Sequence, residues 1–442
     1  MIKKILPKSI KNRLHYLFAW IGAVQYRHPS EELLVIGVTG TSGKSSTVYW
    51  LRTILEQGGF TVGSLSTIDF YIAGKNKLND QKMTMLGRKQ IQQYLREMVS
   101  AGCEIAILEM TSEGAVQHRN KFINVDIMAL TNFYPEHIES HGNFENYKQA
   151  KLSLFRYAAK TKRKALRIPK LESLQIITPG RTMKAAVVNG DNEYAHEFLE
   201  SGAFDCTICF GKADTNVARI RDVTTTPQGI SFRVLDTEFH PRIYGEYNAY
   251  NIACVISIAR IVGVPIEVIQ SGVNSLHGAP GRVEFIPEAE EKGFRVIVDY
   301  AFEPIALQGL YDVVKLLAPK RIIHVLGGTG GGRDTSRRGI MGKMVGENAS
   351  IVIVTNEDPY DEDPRAIMAM VRKGAEDAGK KLGETLFDVL DRKEAIRLAL
   401  QKATPGDMVL ITGKGSEQAM CVANGKKIPW DDRVVVKACL QE

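Results

Sequence analysis

Cysteine, tryptophan and long apolar runs are all scarce in this 442-residue chain. The six cysteines, Cys103, Cys206, Cys209, Cys254, Cys421 and Cys439, include one Cys-x-x-Cys pair and no second pair to complete a zinc site. Reduced, mostly buried thiols in a cytosolic protein are therefore expected. No apolar run approaches the roughly 20 residues that span a bilayer, so no membrane-spanning helix is expected. Basic runs with interleaved aromatics are also missing. The excess of 57 basic over 50 acidic residues gives only +7, which argues against nucleic acid as a partner and suits an enzyme of anionic substrates. With 44% apolar and 24% charged residues the composition is that of a globular protein, too long for one ordinary core.

What the chain does have is a glycine-rich turn in a telling place. Gly37-Val-Thr-Gly-Thr-Ser-Gly-Lys-Ser-Ser-Thr47 follows the apolar run Leu33-Leu34-Val35-Ile36 and precedes a helix-like stretch ending at Gly58-Gly59. Gly40 and Gly43 let the backbone curl so that N–H groups point inward, and the helix that follows adds its positive end. Such a loop suits polyphosphate, with Lys44 as a point charge and the Ser45 hydroxyl placed for Mg²⁺. Val38 stands where the first glycine of the strict phosphate-loop pattern belongs.

Ahead of the loop, Ile10, Leu14, Leu17, Phe18, Ile21 and Val24 recur at helical spacing, with Lys8, Lys11, Arg13 and Trp20 among them. Two readings are open: a helix starting at Ser9 that packs its apolar face on its own domain, which is favoured, or one that lies on an anionic membrane surface through residues 9–25. Beyond the loop, short apolar runs at 105–108 and 125–130 alternate with helical segments. This pattern predicts a parallel sheet covered by helices, with ligands at the carboxyl ends of its strands. Residues 161–182 read as a basic surface excursion. Strand-like pieces at 185–189, 206–210, 217–223 and 229–235 lead to an apolar helix at 252–262. Gly278-Ala279-Pro280-Gly281 is the hinge candidate. After it, strands at 294–298, 321–326, 350–354 and 408–412 alternate again with helices. The expected organisation is an N-terminal helical extension (1–33), a central ATP-binding α/β domain with a parallel sheet (34–281) and a C-terminal Rossmann-like α/β domain (282–442).

Further motifs are spread along the chain: Glu109-Met110-Thr111-Ser112-Glu113-Gly114 with Gln117 and Arg119; Thr131-Asn132 with Glu136-His137 and His141-Gly142; Tyr147 to Lys151; Asn248 to Asn251; Pro280-Gly281-Arg282; Asp299-Tyr300-Ala301; Gly332-Arg333-Asp334; and Gly413-Lys414-Gly415-Ser416-Glu417. With the loop they cover about residues 34 to 433, and the set resembles the Mur ligase family, ATP-dependent enzymes that join an amino acid to a growing cell-wall peptide. Their order is most like that of the members that add the third residue of the stem peptide. The resemblance implies that a carboxylate is activated by ATP as an acyl phosphate and that an amine then displaces phosphate. It implies catalytic roles for Lys44, Glu109, His137 and Lys151. Gly40, Thr41, Ser42, Gly43, Lys44, Ser45 and Ser46 would cradle ATP, with Asn248 and Asn251 near the adenine and Arg282 and Asp299 at phosphate or ribose. Two Mg²⁺ ions are implied, one at Ser45 and Glu109 and the other at His137. Lys151 matches a lysine that is carbamylated in many members and then bridges metals. Thr84, Ser112 and Arg119 match acceptor contacts; Arg333, Glu357, Asp358, Gly413 and Glu417 match the pocket for the incoming amino acid. Taken alone, a helical lysine, a loop histidine or an arginine in a surface salt bridge would each be ordinary.

The chain departs from the family pattern in places. The family ordinarily begins with a domain that holds the UDP part of its substrate, and residues 1–33 are what precedes the central domain here, so a lipid-linked peptide or a partner chain is an alternative carrier. Phe302 and Ser416 replace histidines, and Met85 stands where proline often follows Thr84. Members that use meso-diaminopimelate carry Asp-Asn-Pro-Arg where this chain has Glu357-Asp358-Pro359-Tyr360. Loss of that arginine suggests an amino acid with a cationic end, such as lysine or ornithine, although Asp361, Glu362 and Asp363 read equally as caps of the next helix. Rival readings are amidation of a lipid-linked muropeptide, which would call for a four-cysteine zinc site, extension of folate polyglutamate, and a non-catalytic nucleotide-binding scaffold. The oligomeric state is not legible.

Overall fold

The computed structural model describes residues 8–135, 141–166, 177–178, 181–332 and 335–442. They form two compact units: one holds the chain up to Thr224 with Ile230–Arg242 and Glu246–Leu276, the other holds 225–229, 243–245 and His277–Glu442.

The first unit is organised by β1 (Leu34–Thr39), whose six residues are all buried because parallel neighbours flank it on both sides. Its sheet comprises β2 (Val62–Leu65), β3 (Asp69–Ile72), β4 (Lys75–Leu78), β5 (Ile105–Glu109) and β6 (Ile127–Leu130). The two-residue hairpin strands β7 (Ile177–Thr178) and β8 (Arg181–Thr182) precede three more members, β9 (Ala185–Asn189), β10 (Cys206–Gly211) and β11 (Ala218–Arg219). The order is β11-β10-β9-β6-β1-β5-β2-β3-β4. The parallel sheet expected from the sequence is present from β11 to β2, but β3 and β4 extend its edge antiparallel. A hairpin needs no crossover helix, so the helix-strand alternation could not announce it. Register then places the chemistry: Val38 lies opposite Glu109 and Thr39 opposite Leu130. The loop after β1, Glu109 and Thr131-Asn132 therefore emerge side by side. A separate three-stranded sheet follows, β12 (Arg221–Thr226), β13 (Gly229–Val234) and β14 (Thr237–Phe239).

The helices of this unit are α1 (Lys8–Gln25), α2 (Lys44–Gln57), α3 (Arg88–Ser100), α4 (Ser112–Val116), α5 (Phe144–Lys160), α6 (Ala195–Leu199), α7 (Tyr247–Val262) and α8 (Ile266–Asn274). Asn248 and Asn251 lie in the first turn of α7. Two expectations need correction. The large apolar face of α1 is not the face that packs: Ala19, Gly22 and Ala23 are buried, whereas Leu17, Phe18, Trp20, Ile21 and Val24 are exposed. The supposed surface excursion also contributes to the core. Lys164 and Thr182 are buried, and Lys164 Nζ meets Asp126 and the carbonyls of Ser30, Leu33 and Asn124. Asp126 also takes the Val35 amide at 2.8 Å and lies 3.3 Å from Lys184 Nζ. This buried ionic knot ties β1, β6 and β9 together at their amino ends, and no linear pattern marks it.

The second unit has a six-stranded sheet in the order β15 (Glu284–Phe285), β16 (Arg295–Asp299), β20 (Met408–Thr412), β17 (Ile322–Leu326), β18 (Ile351–Thr355), β19 (Leu386–Val389), parallel except at β15. Alternate residues serve opposite faces. Met408, Leu410, Val352 and Val354 join one core, while Val409, Ile411, Ile351 and Ile353 meet the other. Helices α9 (Pro304–Leu316), α10 (Ser336–Asn348), α11 (Pro364–Asp377), α12 (Arg392–Lys402) and α13 (Asp432–Gln441) complete it, with a hairpin of β21 (Ala419–Val422) and β22 (Lys426–Pro429). β19, the hairpin and α13 are additions to the sequence reading. All six cysteines are free thiols. No helix among the described residues is long and apolar enough to cross a membrane.

Candidate active site

The loop between β1 and α2 is held open by its surroundings. Gly43 adopts φ 76°, and a Cβ there would fall 2.2 Å from Asn251 Oδ1, so only glycine fits. Asn251 is itself fixed by donating from Nδ2 to Asn248 Oδ1 at 2.9 Å. The structure thus brings both asparagines against the phosphate loop. The other side is pinned by Asn132, whose Oδ1 accepts from the amides of Thr41 (3.1 Å) and Ser42 (2.8 Å), and by Thr131, whose hydroxyl donates to Ser42 O at 2.7 Å. Thr41 Oγ1 lies 3.0 Å from the Tyr147 hydroxyl.

Two ammonium groups converge on this loop. Lys44 Nζ donates to Gly40 O (3.1 Å) and Thr41 O (2.9 Å), and Lys151, buried on α5, donates to the same Gly40 O at 2.7 Å. The N-terminus of α2, capped by Gly43 with no side-chain bond, adds its free amides. Two cations and an uncapped helix end in one place form a strong anion site, and they fit a polyphosphate.

Beside it, Ser45 Oγ donates to both oxygens of Glu109 at 3.0 Å. Thr67 bonds Glu109 Oε2 twice, from its amide at 2.8 Å and its hydroxyl at 3.0 Å, and meets Thr84 Oγ1 at 3.0 Å. Ser46 is buried one position further along α2. The donor set is hard oxygen, which fits Mg²⁺. Sequence reasoning missed Thr67. The signal was the register of β2 with β5, Leu65 opposite Leu108, which brings the residues after β2 up to Glu109. His137, assigned to the second ion, lies outside the described residues.

On the acceptor side, His141 Nε2 lies 3.0 Å from Ser112 Oγ, and burial, with Lys151 nearby, pushes the imidazole pKa down. Among the described residues Arg119 forms hydrogen bonds and no ion pair. Its guanidinium donates to the carbonyl of Met85 and to Gln117 Oε1 (2.8 and 3.2 Å), and burial lowers its pKa from the usual arginine range. Thr84 sits on the Glu109 cluster.

In the second unit, the carboxyl ends of β17, β18 and β20 gather three acids around one lysine. Lys414 is fully buried; its Nζ donates to Asp358 Oδ2 (2.9 Å), Glu417 Oε2 (2.7 Å) and Ala419 O (2.6 Å). Asp358 Oδ1 accepts from the Cys421 amide at 2.7 Å, and the Tyr300 hydroxyl reaches Glu417 Oε1 at 3.2 Å. Glu357 accepts from Thr329 Oγ1 at 2.8 Å and lies against Gly413; burial raises its pKa. Asp358 and Glu417 are therefore partly neutralised by Lys414, a role the sequence reading did not assign. Arg392 braces this end through a buried pair with Asp432 at 2.7 Å and a bond to Thr412 O at 2.8 Å. Asp363 caps α11, as one of the two readings of the acidic run expected. Asp299 accepts the amides of Val283 (2.6 Å) and Ala301 (2.7 Å), so both its oxygens clamp backbone, and burial raises its pKa. Arg282 stacks its guanidinium 4.0 Å above the Tyr300 ring. Arg333 lies outside the described residues.

Fold and site together define a phosphate-loop α/β protein built to hold a nucleotide. The Mur ligase middle domain profile matches residues 38–169, and the profile described as Mur ligase, glutamate ligase domain, matches 281–415. The chain is 33% identical over 429 residues to the UDP-N-acetylmuramyl-tripeptide synthetase of Roseiflexus sp. (strain RS-1), covering 96% of this chain and 81% of that one. To the UDP-N-acetylmuramoyl-L-alanyl-D-glutamate--2,6-diaminopimelate ligase of Alkaliphilus metalliredigens (strain QYMF) it is 31% identical over 433 residues, with the same coverage. This chain belongs to the Mur ligase family, and so to the acid–amino-acid ligases. A solved UDP-N-acetylmuramoyl-L-alanyl-D-glutamate--2,6-diaminopimelate ligase superposes with TM-score 0.62 at 25% identity, covering 96% of this chain and 83% of that one. A folylpolyglutamate synthase of Mycobacterium tuberculosis, solved with ADP and AMPPCP, reaches 0.67 at 14% identity, covering 90% and 92%, and so shares the fold.

Proposed function

We propose that this chain uses Mg²⁺-ATP to join an amino acid with a cationic side chain, lysine-like, to the carboxylate of a peptidoglycan precursor peptide. The convergence of Lys44 and Lys151 on Gly40 O, beside the Ser45–Glu109 pair, is the observation that supports it most. When bound, Mg²⁺-ATP supplies the phosphoryl group that activates the acceptor carboxylate. The chain's own residues supply positive charge and position, which dominate such chemistry. Lys44 supplies cationic charge at the loop, Asn132 and Asn251 keep the loop open, and Ser45 with Glu109 would hold the metal ion; Lys151 is a second cation there as an ammonium and would become an anionic metal ligand once carbamylated. A second ion at His137, carbamylation of Lys151, and contacts of Thr84, Ser112 and Arg119 with the acceptor belong to the same proposal. So do nucleotide contacts by Arg282 and Asp299 and amino-acid contacts by Arg333, Glu357, Asp358 and Glu417.

The lysine-like preference rests on Tyr360 in place of an arginine and on Glu357, whose charge Lys414 does not bond. The relatives named for diaminopimelate favour the other amino acid. Release of ADP from Mg²⁺-ATP and UDP-N-acetylmuramoyl-L-Ala-D-Glu, scanned with lysine, ornithine and meso-diaminopimelate, tests both. Turnover with lysine or ornithine, abolished by Lys44→Ala, is expected. Turnover with diaminopimelate alone would overturn the specificity, and silence with all three while ATP still binds would overturn the acceptor.

A further inference from the structure

Seven exposed large apolar side chains lie on one helix. Ile10, Tyr16, Leu17, Phe18, Trp20, Ile21 and Val24 of α1 are each between 41% and 54% exposed, although α1 is docked on its own unit. At about 100° per residue, Ile10, Leu14, Leu17, Ile21 and Val24 fall within roughly 80° of one another, flanked by Phe18 and Trp20. The opposite side is made of small residues. Ala19, Gly22 and Ala23 are buried, and a Cβ on Gly22 would stand 3.1 Å from Lys89 Cα, so α1 and α3 touch almost backbone to backbone. Tyr16 closes the contact edge-on to Phe122, ring centres 5.1 Å apart. Apart from Tyr16, docking is thus made without the large side chains, which form a strip about 21 Å long facing outward.

Charge indicates what covers the strip. Residues 3–30 contain Lys3, Lys4, Lys8, Lys11, Arg13 and Arg27 and no aspartate or glutamate. Lys89 of α3 is exposed beside Gly22. A second copy of the same face would bring like charges together. An anionic lipid surface matches both features: apolar side chains enter the acyl boundary while Lys and Arg meet headgroups. We propose that α1 is an interfacial anchor that docks this protein on anionic membranes, independently of its ligase chemistry.

The test uses the full chain and vesicles of phosphatidylglycerol with phosphatidylcholine. Trp50 is buried and Trp430 half-buried, so Trp20 reports insertion through a blue shift of its emission. Expected are sedimentation with anionic vesicles, at least about tenfold weaker binding to phosphatidylcholine alone, and loss of binding as salt rises well above about 0.1 M. Leu17→Glu with Ile21→Glu should abolish binding and the shift, Phe18→Ala should weaken both, and Ile340→Glu, exposed on α10, should change neither. Melting temperature and ADP release should be the same in all. The proposal is overturned if the unaltered chain ignores anionic vesicles, if the double glutamate variant still binds them, or if that variant instead dissociates a dimer.

Discussion

His324 provides a pH test of the second unit. It is fully buried on β17, with Nδ1 2.7 Å from the Tyr311 hydroxyl and Nε2 3.0 Å from Thr412 Oγ1. Both contacts can be met by a neutral ring, one nitrogen donating and the other accepting. Burial pushes its pKa down to about 3. In the unfolded chain it returns to about 6.5. The unfolded state therefore binds a proton that the folded state refuses between those two values, and stability falls as pH drops through that window. It is flat above about pH 7 and below about pH 3. From about pH 7 to pH 5 the linkage predicts a loss of about 2 kcal/mol from this residue alone. Thr412 ends β20 just before Gly413 and Lys414, so the loss should register at the acidic cluster. Hydrogen exchange of peptides covering Ile322–Leu326 and Met408–Thr412, corrected for the intrinsic pH effect, measures it in the intact chain. His324→Gln, which keeps one donor and one acceptor, should remove most of the pH dependence. Equal losses in the original and the Gln variant would refute the assignment of the proton to His324.

Other outcomes follow from the same geometry. Thr67→Val removes a hydroxyl bond to the Glu109 carboxylate, of a type worth about 1.5–3 kcal/mol; the half-saturating Mg²⁺ concentration for ADP release should rise by about tenfold or more, with little change in melting temperature. Gly43→Ala forces a Cβ into Asn251 at φ 76°, so nucleotide binding measured by calorimetry should be lost while the sheet stays folded. Lys414→Met leaves buried Asp358 and half-buried Glu417 without their cation, and should cost about 3–5 kcal/mol in the second unit, read by denaturation. An undiminished stability would mean that water already screens those acids.

By itself the sequence determined what depends on near neighbours. The run Leu33–Ile36 followed by Gly40, Gly43 and Lys44 specified a buried strand, a tight turn and a helix, because glycine conformations and helix starts are set within a few residues. The spaced motifs likewise led to the family. Tertiary structure alone decided the rest, because it depends on strand register and on packing between distant segments. Thr67 becomes a partner of Glu109 only when β2 pairs with β5. Lys414 neutralises Asp358 only when β20 and β18 end on the same edge of one sheet. Lys164 looked like a surface lysine until Asp126 and three backbone carbonyls enclosed it. The amphipathic pattern of α1 was plain in the sequence, but a periodicity does not say which face meets the protein. That choice fell to Ala19, Gly22 and Ala23, because small side chains let two helices approach closely and leave the large ones facing outward.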